Sequence, residues 1–368
     1  MRILYLIIVL LHGLIHLLGF VKGFGFKDVK ELTIPISKPI GLLWLTAAVL
    51  LLVYLLCFYT NARYAWLIGM MAGIISQILI IAFWKDAKFG TLPNLAILIV
   101  SLIAYGQFNF QKMVQLETDR ILAPITISGE NILREQDIKD LPSAVKRWLR
   151  HSGAIGKPMI RVGKVLQQAE MKLRPEQDKW HQATAVQYTT CDIPAFIWSV
   201  DVKMNSLIGF QGRDKFENGK GEMLIKLNAL IKVVDEGGEK INEGTLQRYL
   251  GELVWFPSLA LSPYITWEEI NDSTALARMV YEGTEGSGIF HFNPEGAFTK
   301  FSTMRFNGND PDSKRYEWVL LVEDYSTFEG ITVPSKMTAT WKLENMDWTW
   351  LKLEIKEIKY NEQVFLTD

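Results

Sequence analysis

The stretch "GTLQRYLGELVWFPSLALSP" (Gly244–Pro263) interrupts a long region patterned with a period of two. Leu246, Tyr249, Leu250 and Leu253 recur at helical spacing, and Val254 extends that stripe. Gln247, Arg248 and Glu252 fall on the other side, with Arg248 and Glu252 one turn apart and able to pair. Pro257 stops or kinks the helix just after Trp255 and Phe256. On an ideal helix Trp255 points nearly opposite Leu246, so its indole needs an apolar contact away from the stripe. A helix of this kind set among strands reads as a cover, and the fold follows from what it covers.

From about residue 158 onward the surrounding pattern is that of strands. In "FIWSVDVKM" (Phe196–Met204), Phe196, Trp198, Val200, Val202 and Met204 share one face. "RDKFENGKGEMLIKL" (Arg213–Leu227) is a hairpin about Asn218-Gly219. The segment Tyr264–Phe306 breaks at Asn271-Asp272, within Gly283–Gly288 and at Pro294–Gly296, giving four strands, and Tyr316–Tyr360 adds three or four. Ten or so short strands with frequent turns describe a curved or partly closed antiparallel sheet. The concave face of such a sheet is filled by side chains, a helix or a ligand. A covering helix over Thr245–Phe256 is therefore expected, as a fixed plug or a mobile lid. Its Leu246, Tyr249, Leu250 and Leu253, with Trp255, Phe256 and Trp198, are the expected contacts for an apolar ligand.

The first 110 residues are of a different kind. Ile3–Phe20, Ile40–Tyr59, Ala65–Trp84 and Leu92–Phe108 are apolar runs near the roughly 20 residues that span a bilayer. Lipid cannot satisfy backbone polar groups, so such runs are helices. "LLGFVK" (Leu17–Lys22) offers no small-residue cleavage site, which argues against a signal peptide. Lys22, Lys27, Lys30, Lys38, Lys85 and Lys88 place the first and third loops in the cytoplasm and both chain ends outside. The expected organisation is a four-helix transmembrane domain (1–112), a helical connector (113–157) and an α+β soluble domain, a β half-barrel covered by a helix (158–368). The connector includes a short helix in "LPSAVKRWLRHSG" (Leu141–Gly153), its cations near the C-terminal end.

His12 and His16 are the most unusual residues of the membrane half, four apart and so on one helical face. Polar groups within a span are functional candidates by default. Their expected company is Gln77, Lys85, Asp86 and Lys88. Two His and a carboxylate could hold a divalent metal, relay protons or, with another axial ligand, bind haem; the plain alternative is interhelical hydrogen bonding. The metal question stays open at this point and no cofactor is expected.

Composition removes other classes. There are 39 basic and 40 acidic residues, a net charge of −1, so no nucleic-acid partner is expected. Cys57 and Cys191 form no disulfide framework. No phosphate loop, nucleophile elbow or His-Glu-x-x-His occurs, His181 and His291 stand alone, and the reading leans away from an enzyme. Partners are membrane lipid and an apolar small ligand; protein partners are not specified.

The order "DIPAFIWSVDVKM", Asn-Gly hairpin, covering helix with its Pro, then the meander through "GIFHFNPEGAFTKFSTMRF" resembles the half-barrel of the bacterial LolA/LolB-type lipoprotein-sorting carriers. That resemblance implies a sheet lidded by helices that binds acyl chains. This chain differs in having four transmembrane helices in place of a cleavable signal or lipid-anchored Cys. Through "HGLIHLLGF", "DAKFGT", "LPSAVKRWLRHSGAIGKP" and "RYLGELVWFPSLAL", the whole chain is identified as a member of an uncharacterised bacterial membrane-protein family, which implies no activity. The functional expectation is a membrane-anchored domain binding a lipid or other apolar ligand. The alternatives are a redox, metal or ion-handling protein centred on His12, His16 and Asp86, and a partner-recruiting domain with an exposed patch at Trp255 and Phe256.

Overall fold

The computed structural model describes residues 2–127, 131–205 and 207–362. The chain divides into two compact units, Met1–Lys112 with Asn228–Leu230, and Met113–Leu227 with Ile231–Asp368.

The first unit is helical: α1 (Arg2–Gly23), α2 (Lys38–Tyr59), α3 (Ala65–Ala82), a single turn α4 (Trp84–Ala87) and the start of α5 (Thr91–Leu122). Four helical segments are long and apolar enough to cross a membrane. Leu4, Leu11, Ile15, Leu42, Ile78 and Ile81 point outward, whereas Gly13, Ala47, Ala48, Gly69 and Ala72 are buried between helices. Large apolar side chains outside and small ones at the contacts is the pattern of helices packed in lipid, where close backbone approach replaces the hydrophobic drive.

The second unit continues with the end of α5 and α6 (Ser143–His151), then enters the sheet through β1 (Val162–Met171), β2 (His181–Thr190) and β3 (Ala195–Lys203). It goes on as β4 (Gly209–Glu217), β5 (Lys220–Leu227), β6 (Ile231–Gly237) and α7 (Glu239–Gly251). After α7 come β7 (Ile265–Asn271), β8 (Thr274–Tyr281), β9 (Thr284–Phe292), β10 (Phe298–Phe306), β11 (Arg315–Phe328), β12 (Ile331–Lys342) and β13 (Asp347–Tyr360). All thirteen lie in one sheet, ordered β6-β5-β4-β3-β2-β1-β13-β12-β11-β10-β9-β8-β7, and every neighbouring pair is antiparallel.

The sheet is open, with β6 and β7 as its edges. It curls until the β4–β5 and β8–β9 hairpin tips meet, where the Thr284 hydroxyl donates to the Gly219 carbonyl at 2.6 Å. Asn218-Gly219 and Glu282-Gly283 carry positive φ at both positions, as two-residue hairpin turns require. The strand begins again at Thr284, so most of "GTEGSG" is strand.

The covering helix runs along the concave face between strands from both ends of the sheet, against β5 and β4 on one side and β9 and β10 on the other. Its bounds are Glu239–Gly251 and not Thr245–Phe256, because Gly238 (φ 109) turns the chain at its start and the backbone tightens to a 3₁₀ turn at Glu252–Trp255. A second 3₁₀ turn, Pro257–Leu261, follows. Close approach has a sequence cause: a Cβ at Gly221 of β5 would lie 2.1 Å from Thr245 Oγ1. Outside the helix, α6 buries Ala144, Val145, Trp148 and Leu149. Its Trp148 ring lies 6.1 Å from Phe292, and Arg150 pairs with Glu135.

Candidate functional site

The helix does not fill the concave face. Between it and the sheet remains a cavity of about 370 Å³. One wall is a cross-strand run of tryptophans: Trp318 of β11 is the register partner of Trp341 on β12, which is the partner of Trp348 on β13. A bulge at Trp350 shifts the phase of β13, so that Trp348 on one side of it and Leu351 and Leu353 on the other all face inward. Met171, Met223 and Met337 add adaptable apolar surface. Trp255 lies at the floor, while exposed Leu173 and Gly308 mark the mouth.

The opposite wall is ionic. Arg248 of α7 pairs with Asp214 of β4 and with Glu252, each at 2.7 Å, and donates to Gln187 Oε1 at 3.1 Å. Gln187 in turn donates to Glu252 Oε2 at 2.7 Å. The guanidinium lies over the rings of Phe196 (5.0 Å) and Trp198 (4.7 Å). Burial acts to lower Arg248, and the Glu252 and Asp214 carboxylates more than offset it, holding the group above its ordinary value. The side of the helix carrying Gln247, Arg248 and Glu252 is therefore also largely enclosed, though less completely than the apolar stripe.

A second cation, Arg305 of β10, lies over Trp318 (4.9 Å) and Trp341 (5.8 Å). Burial, then the neighbouring Arg248 charge, pull it down to about 10, and the carboxylates of Asp214, Glu252 and Glu243 only partly compensate.

Among the residues expected to meet a ligand, Trp198 and Trp255 line the cavity. Leu246, Tyr249, Leu250, Leu253 and Phe256 do not; they are fully packed in the core. Tyr249 donates its hydroxyl to the Thr190 carbonyl, and Phe256 inserts over Gly163 of β1, where a Cβ would sit 2.3 Å from its ring. Trp255 leaves the helical stripe as expected and is anchored by Nε1–H donation to the Pro334 carbonyl at 3.0 Å. Trp255 and Phe256 are 2% and 0% exposed, which removes the expected surface patch there. Sequence reading missed Arg305 and the Trp318–Trp341–Trp348 wall, since strand register alone brings them together.

In the helical unit, His12 and His16 are buried in a hydrogen-bonded set with Ser76 and Asn94. His16 Nδ1–H donates to the His12 carbonyl (2.8 Å), and its Nε2 accepts from the Ser76 hydroxyl (2.8 Å). His12 Nε2–H donates to Asn94 Oδ1 (2.8 Å), and Asn94 donates to Gln77 Oε1 (3.0 Å). Gln77 thus joins the histidines through Asn94. Asp86 does not: its carboxylate accepts from Thr33 and from the Ile34 backbone N–H (3.0 Å). Lys85 and Lys88 are exposed, Lys88 over the Phe89 ring at 5.3 Å. Among the described residues no group of three or more His, Cys, Asp or Glu converges to hold a metal ion. A packing role gives a definite expectation: His16→Ala should lower stability by about 1 kcal/mol, measured as the unfolding midpoint in bicelles.

Comparison with known proteins gives a family and a distant structural match. No curated protein matches the chain. A crystal structure of a LolA superfamily protein from Nitrosomonas europaea aligns over 61% of this chain and 97% of its own, with 10% identity and a TM-score of 0.34. A model described as a family of unknown function, DUF6544, matches residues 131–353. That span is more than half of the chain and contains every residue lining the cavity. The chain belongs to the DUF6544 family.

Proposed function

We propose that this is a membrane-anchored binding protein whose C-terminal unit holds a lipid or other apolar ligand in the tryptophan-walled cavity. The observation that carries this reading is the cavity itself and its lining. The cavity opens at a mouth by Leu173 and Gly308, so an apolar occupant entering there would cover indole, methionine and leucine surface that otherwise faces water. Its size lies within the range of small-ligand sites, and indoles, methionines and leucines with a few convergent polar groups are the lining such sites use. The buried stripe of α7 supports a helix fixed along most of its length, with entry at its N-terminal end. The cations of the first and third loops support an extracytoplasmic C-terminal unit.

Ala339 of β12 faces the cavity between Leu320 and Leu351. Ala339→Phe should fill the space, reducing affinity for a neutral apolar fluorophore more than tenfold while leaving the unfolding midpoint unchanged or raised. Unaltered probe binding in a correctly folded variant would rule the cavity out as the site.

A further inference from the structure

Resting on that reading, we propose that the ligand is an anionic amphiphile, its carboxylate or phosphate head held by Arg305 and its apolar tail directed past Met337 and Leu353 toward Trp255. The lining distinguishes a head group of this kind from a neutral one. Among the described residues, Arg305 has no ion pair or hydrogen bond with the protein, and its guanidinium rests between the Trp318 and Trp341 rings and the α7 backbone. Gly244 makes the room: a Cβ there would lie 2.8 Å from Arg305 Nε. The carboxylates nearby are already engaged, Asp214 and Glu252 by Arg248 and Glu243 by both arms of Arg315.

Among the described residues, several other unpartnered groups of the lining are donors as well, while the Glu236 carboxylate on β6 is an unpaired acceptor of the same lining. Trp318 Nε1, Trp348 Nε1, Trp350 Nε1 and Gln167 Nε2 are buried and meet no acceptor of the protein. Trp318 and Gln167 are 3% exposed. Gln167 Oε1 is taken by the Trp198 indole at 2.8 Å, which leaves only its donor end free. Lysines 172 and 240 bring the lining to four cations against three carboxylates, Asp214, Glu236 and Glu252. A cavity offering buried N–H donors and a guanidinium with no ion pair of its own matches a group that only accepts, and a carboxylate or phosphate does so with the two-pronged geometry of arginine. Arg305 remains protonated at neutral pH even at its lowered value, and an anion beside it would relieve the cost of its burial.

The test uses the full-length chain in phosphatidylcholine nanodiscs, titrated with cis-parinaric acid and separately with its methyl ester. Binding is read as energy transfer from the cavity tryptophans, with empty nanodiscs as the blank. The acid should bind about ten- to a hundredfold more tightly than the ester. Arg305→Met should bring the acid to the ester's affinity without changing the ester, and Arg305→Lys should fall between. Equal affinity of acid and ester for the unmodified chain would overturn the head-group assignment and leave the cavity reading intact. Binding of neither would overturn the cavity reading, and this inference with it. Displacement of the acid by inorganic phosphate alone would show a site for free anions, overturning the assignment to an amphiphile.

Discussion

Replacing Arg248 by Met should destabilise the β-sheet unit by about 3 kcal/mol, the lower end of what removing one partner of a buried ion pair costs. The lower end applies because Asp214 keeps 26% of its side-chain surface exposed, which screens part of the charge left behind. The residue lies on α7, which joins the two edge strands of an open sheet, and its guanidinium ties that helix to Asp214 on β4 and, through Gln187, to β2. Its loss leaves Asp214 without its ion-pair partner and Glu252 with only the Gln187 amide to stabilise its charge. Combining Arg248→Met with Asp214→Asn and Glu252→Gln should recover most of the stability, because the desolvation cost is removed along with the attraction. The check is the urea midpoint followed by tryptophan emission. An unshifted midpoint for the single variant would mean that the ionic wall contributes nothing to holding the helix.

Phe256→Ala should cost about 3–5 kcal/mol, the range for deleting a fully buried aromatic. The ring is 0% exposed, stands edge-on to Tyr360 at 6.2 Å, and occupies the space that Gly163 leaves on β1. The Tyr360 hydroxyl donates to the Trp255 carbonyl at 2.8 Å, so the same contact positions the indole at the cavity floor. Loss of the ring should therefore loosen Trp255 and weaken ligand binding as well. Gly163→Ala should be damaging alone, with its Cβ 2.3 Å from the ring, yet partly rescue Phe256→Ala by occupying the vacated volume. Failure of the pair to couple in a double-mutant cycle would contradict this packing.

The sequence exposed what depends on local period and turn chemistry. The four apolar helices, the Asn218-Gly219 hairpin, the four strands of Tyr264–Phe306 and the Leu246/Tyr249/Leu250/Leu253 stripe are all legible from spacing. The inward face of Phe196, Trp198, Val200 and Val202 is legible for the same reason. Features set by long-range register were not. Period-two reading places Trp348 and Trp350 together and opposite Leu351 and Leu353, and only the bulge at Trp350 turns the tryptophan wall and the leucines to one side. Arg305 looks like an ordinary strand-end cation until β11 and β12 bring Trp318 and Trp341 beneath it. The covering stripe was visible; in the structure those side chains pack into the core, and the cavity is lined largely by other residues. Asp86 is expected beside the histidines as a polar residue of the same helical unit, but Thr33 and the Ile34 N–H hold its carboxylate elsewhere.

Organic extraction and mass spectrometry of the purified full-length chain, compared with its Ala339→Phe variant, tests the central claim most directly. The expected result is an acyl-chain amphiphile bearing one carboxylate or phosphate, near equimolar with the chain and missing from the variant. Equal recovery of the same lipids from both proteins, in proportions matching the surrounding bilayer, would contradict a ligand held in the cavity.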